Sequence, residues 1–410
     1  VVQGAHPFFT YTGEILAWRL GDERNADVSP SPAPDAARVR AWAGRILRAA
    51  RDAREIVLLG LGSGAVAGAL ARSLPDDKVL TVLSPDPAAA RRLAATGALD
   101  WRVPDGPTRL LADTSRQALF CLPVLAGFDP DRAVVVANPE PCPPHTREAL
   151  AWVRRMLTAS VPLPEAPAGA GIPVAAPPDV TLAVLVQPRE PGLEEFFAAC
   201  TGLARSAVLC WDAAAVPRQA ALARALDMPV RHLTRPLAGD FAAQRNALVA
   251  ACPPGWVLTL DPDERPAPDM ARTIARVTRA PDIGGVFFPR LTLYPDKDHA
   301  KVGHGLWPDL QLRLFHTPPP ASPRYVRPVH ERLEGLVGRA ALALDAPLLH
   351  YNRLLADEGA VKAKLAAYDA AAGQPRHRLS RDYPSLPLTF FTALSGDRRE
   401  GRVLLLPPLW

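Results

Sequence analysis

The stretch from Asp240 to Glu264, DFAAQRNALVAACPPGWVLTLDPDE, constrains the fold of this 410-residue chain more than any other. Asp240 is placed to cap a helix, because its carboxylate can accept from the unpaired amides of the first turn. Ala243, Ala247, Leu248 and Ala251 then fall on one helical face. Cys252-Pro253-Pro254-Gly255 stops the helix, and Trp256 to Leu260 reads as a short core strand. Asp261, Asp263 and Glu264 follow at once. In an open α/β sheet the carboxyl end of a strand opens into the crevice where ligands bind.

Three acids this close repel one another. Either a divalent cation with oxygen ligands offsets them, bridging to a diphosphate, or they form a solvated turn. In the second reading Asp261 or Asp263 caps a helix starting near Pro268.

Several motifs in register bear on that choice. Phe241, Arg245, Asn246, Trp256, Leu258, Leu260, Asp261, Asp263 and Glu264 match an "F-S-x-x-R-N … W-I-L-x-L-D-A-D-E" core. Gln311-Leu312-Arg313-Leu314-Phe315 matches "Q-x-R-L-F", and Val329-His330-Glu331 matches "V-H-E". His350-Tyr351 with Lys362 and Tyr368 matches a closing "H-Y … K … Y". Over residues 179–372 the chain resembles a bacterial branch of the family 2 glycosyltransferases. That resemblance implies a GT-A fold and a nucleotide-diphosphate sugar as donor. It implies Mn²⁺ or Mg²⁺ held by Asp261 and Asp263, with His350 either a third ligand or a packed core histidine. Glu331 is the implied general base, with Asp263 the second catalytic residue. Asp212, at the end of the second strand of this half, is the implied contact to base and ribose. Arg313 either faces the diphosphate or makes an ion pair on the sheet, and Arg245 either braces the acid loop or touches phosphate. The implied acceptor is a glycan, a lipopolysaccharide or other lipid-linked chain, or a protein.

The chain departs from the family twice. Gln187-Pro188-Arg189-Glu190 stands where "N-E" is usual, and Asp212-Ala213-Ala214-Ala215 replaces "D-x-G-S-x-D". A degenerate, non-catalytic glycan- or partner-binding protein is therefore the alternative. Strand-like Val180–Val186, Ala207–Trp211 and Val230–Leu233 alternate with helical Leu193–Ala204 and Pro217–Leu226, the pattern of a nucleotide-binding half.

The N-terminal half reads as Rossmann-like. An amphipathic helix carries Val39, Trp42, Ile46 and Leu47, and a buried strand at Ile56–Leu59 enters Gly60-Leu61-Gly62-Ser63-Gly64. Such glycines let the backbone turn sharply, and the following helix N-terminus favours anions. Strands are expected at Val79–Leu83 and Val134–Val136. Ser84 stands where a ribose-binding acid belongs, and Asp86 either serves instead or caps the next helix. The loop resembles both the motility accessory factors and motif I of S-adenosylmethionine methyltransferases. We expect a non-catalytic acceptor- or partner-binding domain that does not bind S-adenosylmethionine, with methyl transfer as the alternative activity.

Composition sets the remaining bounds. The length suits an α/β chain of two domains, expected at 1–159 and 179–373. Between them lies a proline- and alanine-rich linker at 160–178, and after them a tail at 374–410 in which prolines break any regular pattern. Within that tail, Val403–Leu406 reads as a docking strand or a partner contact. The +5 net charge comes from scattered arginines without interleaved aromatics, so nucleic acid is not an expected partner. Five cysteines with no C-x-x-C pair suggest reduced thiols. No signal peptide and no apolar run of ~18 residues is seen, so a cytoplasmic protein with at most peripheral membrane contact is expected. The Ala, Pro and Arg bias suggests a high-GC bacterial source.

Overall fold

The computed structural model describes residues 5–18, 34–164, 179–320, 323–327, 331–355, 359, 383–395 and 402–408. It is a mixed α/β chain whose described residues form a four-stranded parallel sheet, an eleven-stranded mixed sheet and two two-stranded antiparallel pairs. Two compact units divide it. The first takes Val1–Ser160, Tyr294–Pro308 and Lys362–Asp397, and the second takes Val161–Leu293, Asp309–Val361 and Arg398–Trp410. Most of the expected linker, from 165 to 178, lies outside the described residues, as do Val329, His330, Lys362 and Tyr368.

In the first unit, helices α1 (Pro7–Ala17) and α2 (Ala36–Ala49) precede strand β1 (Glu55–Leu59). Then come α3 (Ala65–Arg72), β2 (Val79–Ser84), α4 (Pro87–Ala95), β3 (Thr108–Ala112), α5 (Arg116–Leu125), β4 (Ala133–Ala137) and α6 (Pro144–Ala159). The strands are parallel in the order β3-β2-β1-β4. That is half of a doubly wound sheet, with its switch point between β1 and β4. Ile56 and Leu58 meet Leu80, Val82 and Leu110 in one core, which Val39, Trp42 and Ile46 of α2 close. Asp35 caps α2 by accepting from the Ala37 and Arg38 amides.

Helix α1 is absent from the sequence reading, and it covers an edge. The Thr12 hydroxyl donates to Leu110 O at 2.8 Å and accepts from Ala112 N at 3.2 Å, pairing groups that edge strand β3 would leave open. Beside it, the Tyr11 hydroxyl donates to Asp113 Oδ2 at 2.5 Å, both residues being fully buried. Burial raises the Asp113 carboxyl from 3.8 to about 6, against the lowering effect of hydrogen bonds from Tyr11 and the Ser115 and His304 amides. A raised folded value means the stability contribution is complete below about pH 4. It is lost as pH climbs through about 6. The first unit should therefore weaken over that window by up to about 3 kcal/mol, and Asp113→Asn should flatten the dependence. Denaturant unfolding at pH 4.5 and 7.5 checks this, and an equal slope in both proteins would refute it.

The second unit repeats the same parallel order. Its strands are β5 (Val161–Pro162), β6 (Val180–Val186), β7 (Ser206–Trp211), β8 (Val230–Thr234), β9 (Gly255–Thr259), β10 (Glu264–Pro266) and β11 (Ile283–Thr292). They continue as β12 (Asp309–Thr317), β13 (Arg324–Val326), β14 (Arg332–Glu334), β15 (Arg339–Ala343), β16 (Leu348–His350) and β17 (Val403–Leu405). β8-β7-β6-β9 are parallel. Antiparallel β12 joins β9, and β11, β15, β17 and β5 extend the sheet. Helices α7 (Leu193–Ala199) and α9 (Met270–Val277) bury Phe196, Phe197, Ile274 and Val277 against Leu182, Val184 and Leu258. Helix α8 (Phe241–Ala250) packs Leu248 and Val249 with Ala183, Val208 and Val257 in a separate cluster. Neighbouring positions along each strand thus serve different cores, as the pleat requires.

Three expectations need correcting. The helix from Leu193 ends at Ala199, short of Ala204, and the chain turns through Gly202 at φ 78°. Arg218–Leu226 is a 3₁₀ helix. The proline-rich tail carries regular elements, with Ser385–Pro387 paired to His299–Lys301 and Leu388–Ser395 helical, while Val403–Leu405 forms a strand on β15, in line with the docking-strand alternative. Proline is compatible with an edge strand or a helix start, where no amide is required of it.

Candidate functional site

Asp240 caps α8 as expected, its Oδ1 accepting from Ala243 N at 2.9 Å. The buried face differs from the expectation: Ala242, Gln244, Leu248 and Val249 point inward, while Ala243 and Ala247 are half-buried. The helix is turned so that Gln244 donates to Arg235 O while Arg245 reaches the acid turn.

The acid turn follows β9 at the switch point of the second sheet. It closes on itself, since Glu264 N donates to Asp261 O at 2.9 Å and Asp261 N donates to Glu264 Oε2 at 3.1 Å. Glu264 then opens β10 opposite His350 of β16. Helix α9 starts at Met270 with Asp269 in the cap position, so neither Asp261 nor Asp263 caps it.

Arginines surround the turn. Arg313 of β12 places Nη2 at 2.5 Å from both Asp261 Oδ2 and Glu264 Oε1. Arg245 reaches Asp261 Oδ1 at 3.0 Å through Nη2 and Glu331 Oε1 at 2.6 Å through Nε. Arg290 of β11 links Glu264 at 3.1 Å to Asp309 at 2.6 Å. Glu264 is completely buried. Burial would raise the Asp261 carboxyl, but Arg313, Arg245 and Arg290 outweigh it and hold the group well below the usual carboxylate range. The same pairing outweighs burial at Arg245 and Arg313 and raises both guanidinium groups. These three groups stay ionised together.

Asp263 stands apart from the arginines. Its Oδ2 lies 3.3 Å from His350 Nε2, and His350 Nδ1 lies 3.2 Å from Thr292 Oγ1. Burial raises the Asp263 carboxyl, but the hydrogen bond and charge of His350, with the more distant Arg290, together outweigh it and lower the group.

Six of the seven expected site residues therefore meet: Asp261, Asp263, Arg245, Arg313, Glu331 and His350. Asp212 does lie at the end of β7, but its Oδ1 accepts from Leu237 N at 2.7 Å, and among the described residues no contact joins it to the network. Arg290, Asp309 and Thr292 escaped the sequence reading. A single arginine in the apolar Val286–Leu291 run was the available signal.

The fit to a cation is narrow. Among the described residues no group of three or more His, Cys, Asp or Glu side chains could hold a metal. Both oxygens of Asp261 face arginines, which already offset the acids. The remaining donors are Asp263 and His350, which suit a cation whose other positions are filled by phosphate oxygens and water.

The glycine loop of the first unit is already filled. Gly60, Gly62 and Gly64 all have positive φ. Ser63 N donates to Glu140 Oε2 at 2.9 Å, and a Cβ on Gly62 would lie 2.8 Å from the Glu140 carboxyl carbon. Glu140 follows β4, across the switch point from the loop. A carboxylate of the chain itself thus holds an amide that a ligand phosphate would need. Asp86 caps α4 by accepting from Ala89 N at 2.8 Å.

The fold and site define an α/β chain of two units whose second unit gathers carboxylates and arginines at its switch point. No family model and no curated protein matches the chain. Among solved structures, S. aureus TarS residues 1–349 is similar at TM-score 0.26 and 10% identity, over 34% of this chain and 47% of that one. A second S. aureus TarS structure gives 0.25 and 13%, over 34% and 28%. A putative O-methyltransferase from Klebsiella pneumoniae gives 0.20 and 14%, over 40% and 84%. The chain spans about half the length of the first of these. Likeness this low carries no argument about chemistry. Among the described residues no helix is long and apolar enough to cross a membrane.

Proposed function

We propose that the second unit is an inverting, metal-dependent GT-A glycosyltransferase of the family 2 type. The observation that carries this reading is convergence: Arg245 and Asp261 of one stretch, Arg313 of a second and Glu331 of a third join in one partly buried network. Asp263 and His350 lie at the same turn.

In the proposed reaction an acceptor hydroxyl attacks the anomeric carbon of a nucleotide-diphosphate sugar. A new C–O bond forms, the bond to the diphosphate breaks, and the hydroxyl proton passes to Glu331. Negative charge builds on the leaving diphosphate, so fixed positive charge nearby stabilises the transition state. Arg313 is the candidate for that charge; it is buried, with Nη2 held by Asp261 and Glu264, so its charge would act through space. Arg245, with Nε and Nη2 both engaged, suits the bracing role. Asp263 and His350 would hold Mn²⁺ or Mg²⁺, which supplies further charge when bound. The acceptor is a glycan, a lipid-linked chain or a protein of the cell envelope. The first unit serves as a non-catalytic acceptor- or partner-binding module, a role that the filled glycine loop supports over binding of a nucleotide phosphate.

Calorimetry with UDP, GDP, dTDP and CMP, first with Mn²⁺ and then with EDTA, tests the reading on wild type and Asp263→Asn. One nucleotide should bind, and that binding should be lost on removing either the metal or the Asp263 carboxylate. Binding of none would favour a degenerate glycan- or partner-binding protein, in line with the engaged carboxylate of Asp212.

A further inference from the structure

Glu331 belongs to a small element that has to be held in place. Strands β13 and β14 pair with each other and, among the described residues, with no strand of the eleven-stranded sheet. Glu331 immediately precedes β14. A lone two-stranded hairpin is marginal in water, so its position must come from elsewhere.

Tyr325 and Leu333 pack in one apolar cluster with Ala242, Leu248 and Phe315, and two adjacent residues of α8 supply the directional contacts. The Asn246 amide donates from Nδ2 to Tyr325 O at 2.8 Å and accepts at Oδ1 from Tyr325 N at 2.7 Å. One side chain thus pairs with both backbone groups of a single strand residue, as a neighbouring strand would. Arg245 joins Glu331 on the hairpin to Asp261 on the acid turn, and its guanidinium lies 5.6 Å from the centre of the Tyr325 ring. Tyr325 is 7% exposed and meets Phe315 of β12 edge to face.

We propose that Arg245 and Asn246 act as a positioning clip, setting the distance between the Glu331 carboxylate and the acid turn. The proposal deepens the transferase reading and rests on it for its catalytic consequence. Both side chains have the chemistry a clip requires. An asparagine amide offers one donor and one acceptor on the same plane, which alanine cannot replace. A guanidinium can reach two carboxylates from different nitrogens, whereas a lysine ammonium is a single point charge. A base acts only within hydrogen-bond reach of its proton, and a misplacement of about 1 Å can cost ~10²-fold in rate.

Hydrogen–deuterium exchange on the full chain tests the clip without any substrate. In Asn246→Ala and in Arg245→Lys, amides of β13 and β14 should exchange at least about tenfold faster, while those of β6 and β9 stay unchanged. Unchanged exchange of the hairpin, and of Tyr325 N–H in Asn246→Ala above all, overturns the proposal. The consequence is read as release of UDP from UDP-glucose and of GDP from GDP-mannose. We expect kcat to fall at least about tenfold with KM little changed. A loosened hairpin with unchanged kcat also overturns it. A wild type that turns over neither probe counts against the transferase reading, and exchange alone then decides the clip.

Discussion

Arg313→Met is expected to destabilise the second unit by about 3–5 kcal/mol, the usual cost of removing one partner from a buried ion pair. Arg313 is 5% exposed and bonds Asp261 and the fully buried Glu264 through one nitrogen. Without it, Glu264 keeps Arg290 but Asp261 and Glu264 face each other with too little positive charge between them. Methionine fills much of the volume, so the loss reads charge more than cavity. Denaturant unfolding followed by hydrogen exchange of the β6 and β9 amides measures it. Adding Glu264→Gln to Arg313→Met should recover part of the loss, because it removes the charge left unpaired. A loss below about 1 kcal/mol would mean that the network relaxes around the gap.

Glu331→Gln is expected to keep nucleotide affinity within a few-fold while transfer falls by ~10²–10⁴. Glutamine retains an oxygen that can accept from Arg245 Nε, so the 2.6 Å contact of the wild type has a substitute. What disappears is the capacity to take a proton. Calorimetry and nucleotide release on the same preparation separate the two effects. Transfer within a few-fold of wild type would place the base elsewhere and leave Glu331 as a partner of Arg245.

Much of the local structure was readable from residue type and spacing. Asp240 before an alanine-rich run, Cys252-Pro253-Pro254-Gly255 after it and the apolar Trp256–Leu260 segment specify a cap, a stop and a strand through interactions within a few residues. The alternation of apolar strands with helices likewise led to two α/β halves with parallel strands. Readings failed where distant chain decides the outcome. The face that α8 buries depends on Arg235, which accepts from Gln244, and on the acid turn, which draws in Arg245. Helix α1 matters through Thr12 and Tyr11, whose partners lie about a hundred residues away.

The same division runs through the candidate site. Clustered acids after a core strand announced a charged turn, and a repulsive cluster always needs a counter-charge. Which counter-charge it receives is a matter of long-range geometry, because charges interact through space and not along the chain. Arg245, Arg290 and Arg313 sit on one helix and two sheet strands that fold around the turn, so Asp261 and Glu264 receive guanidinium partners while Asp263 is left to His350. The glycine loop follows the same rule. Its three glycines were legible as a sharp turn beside a helix start, but the carboxylate that fills it arrives from Glu140, 77 positions from Ser63. Residue order set the kinds of groups and the elements carrying them, and the packing of those elements chose which charges meet.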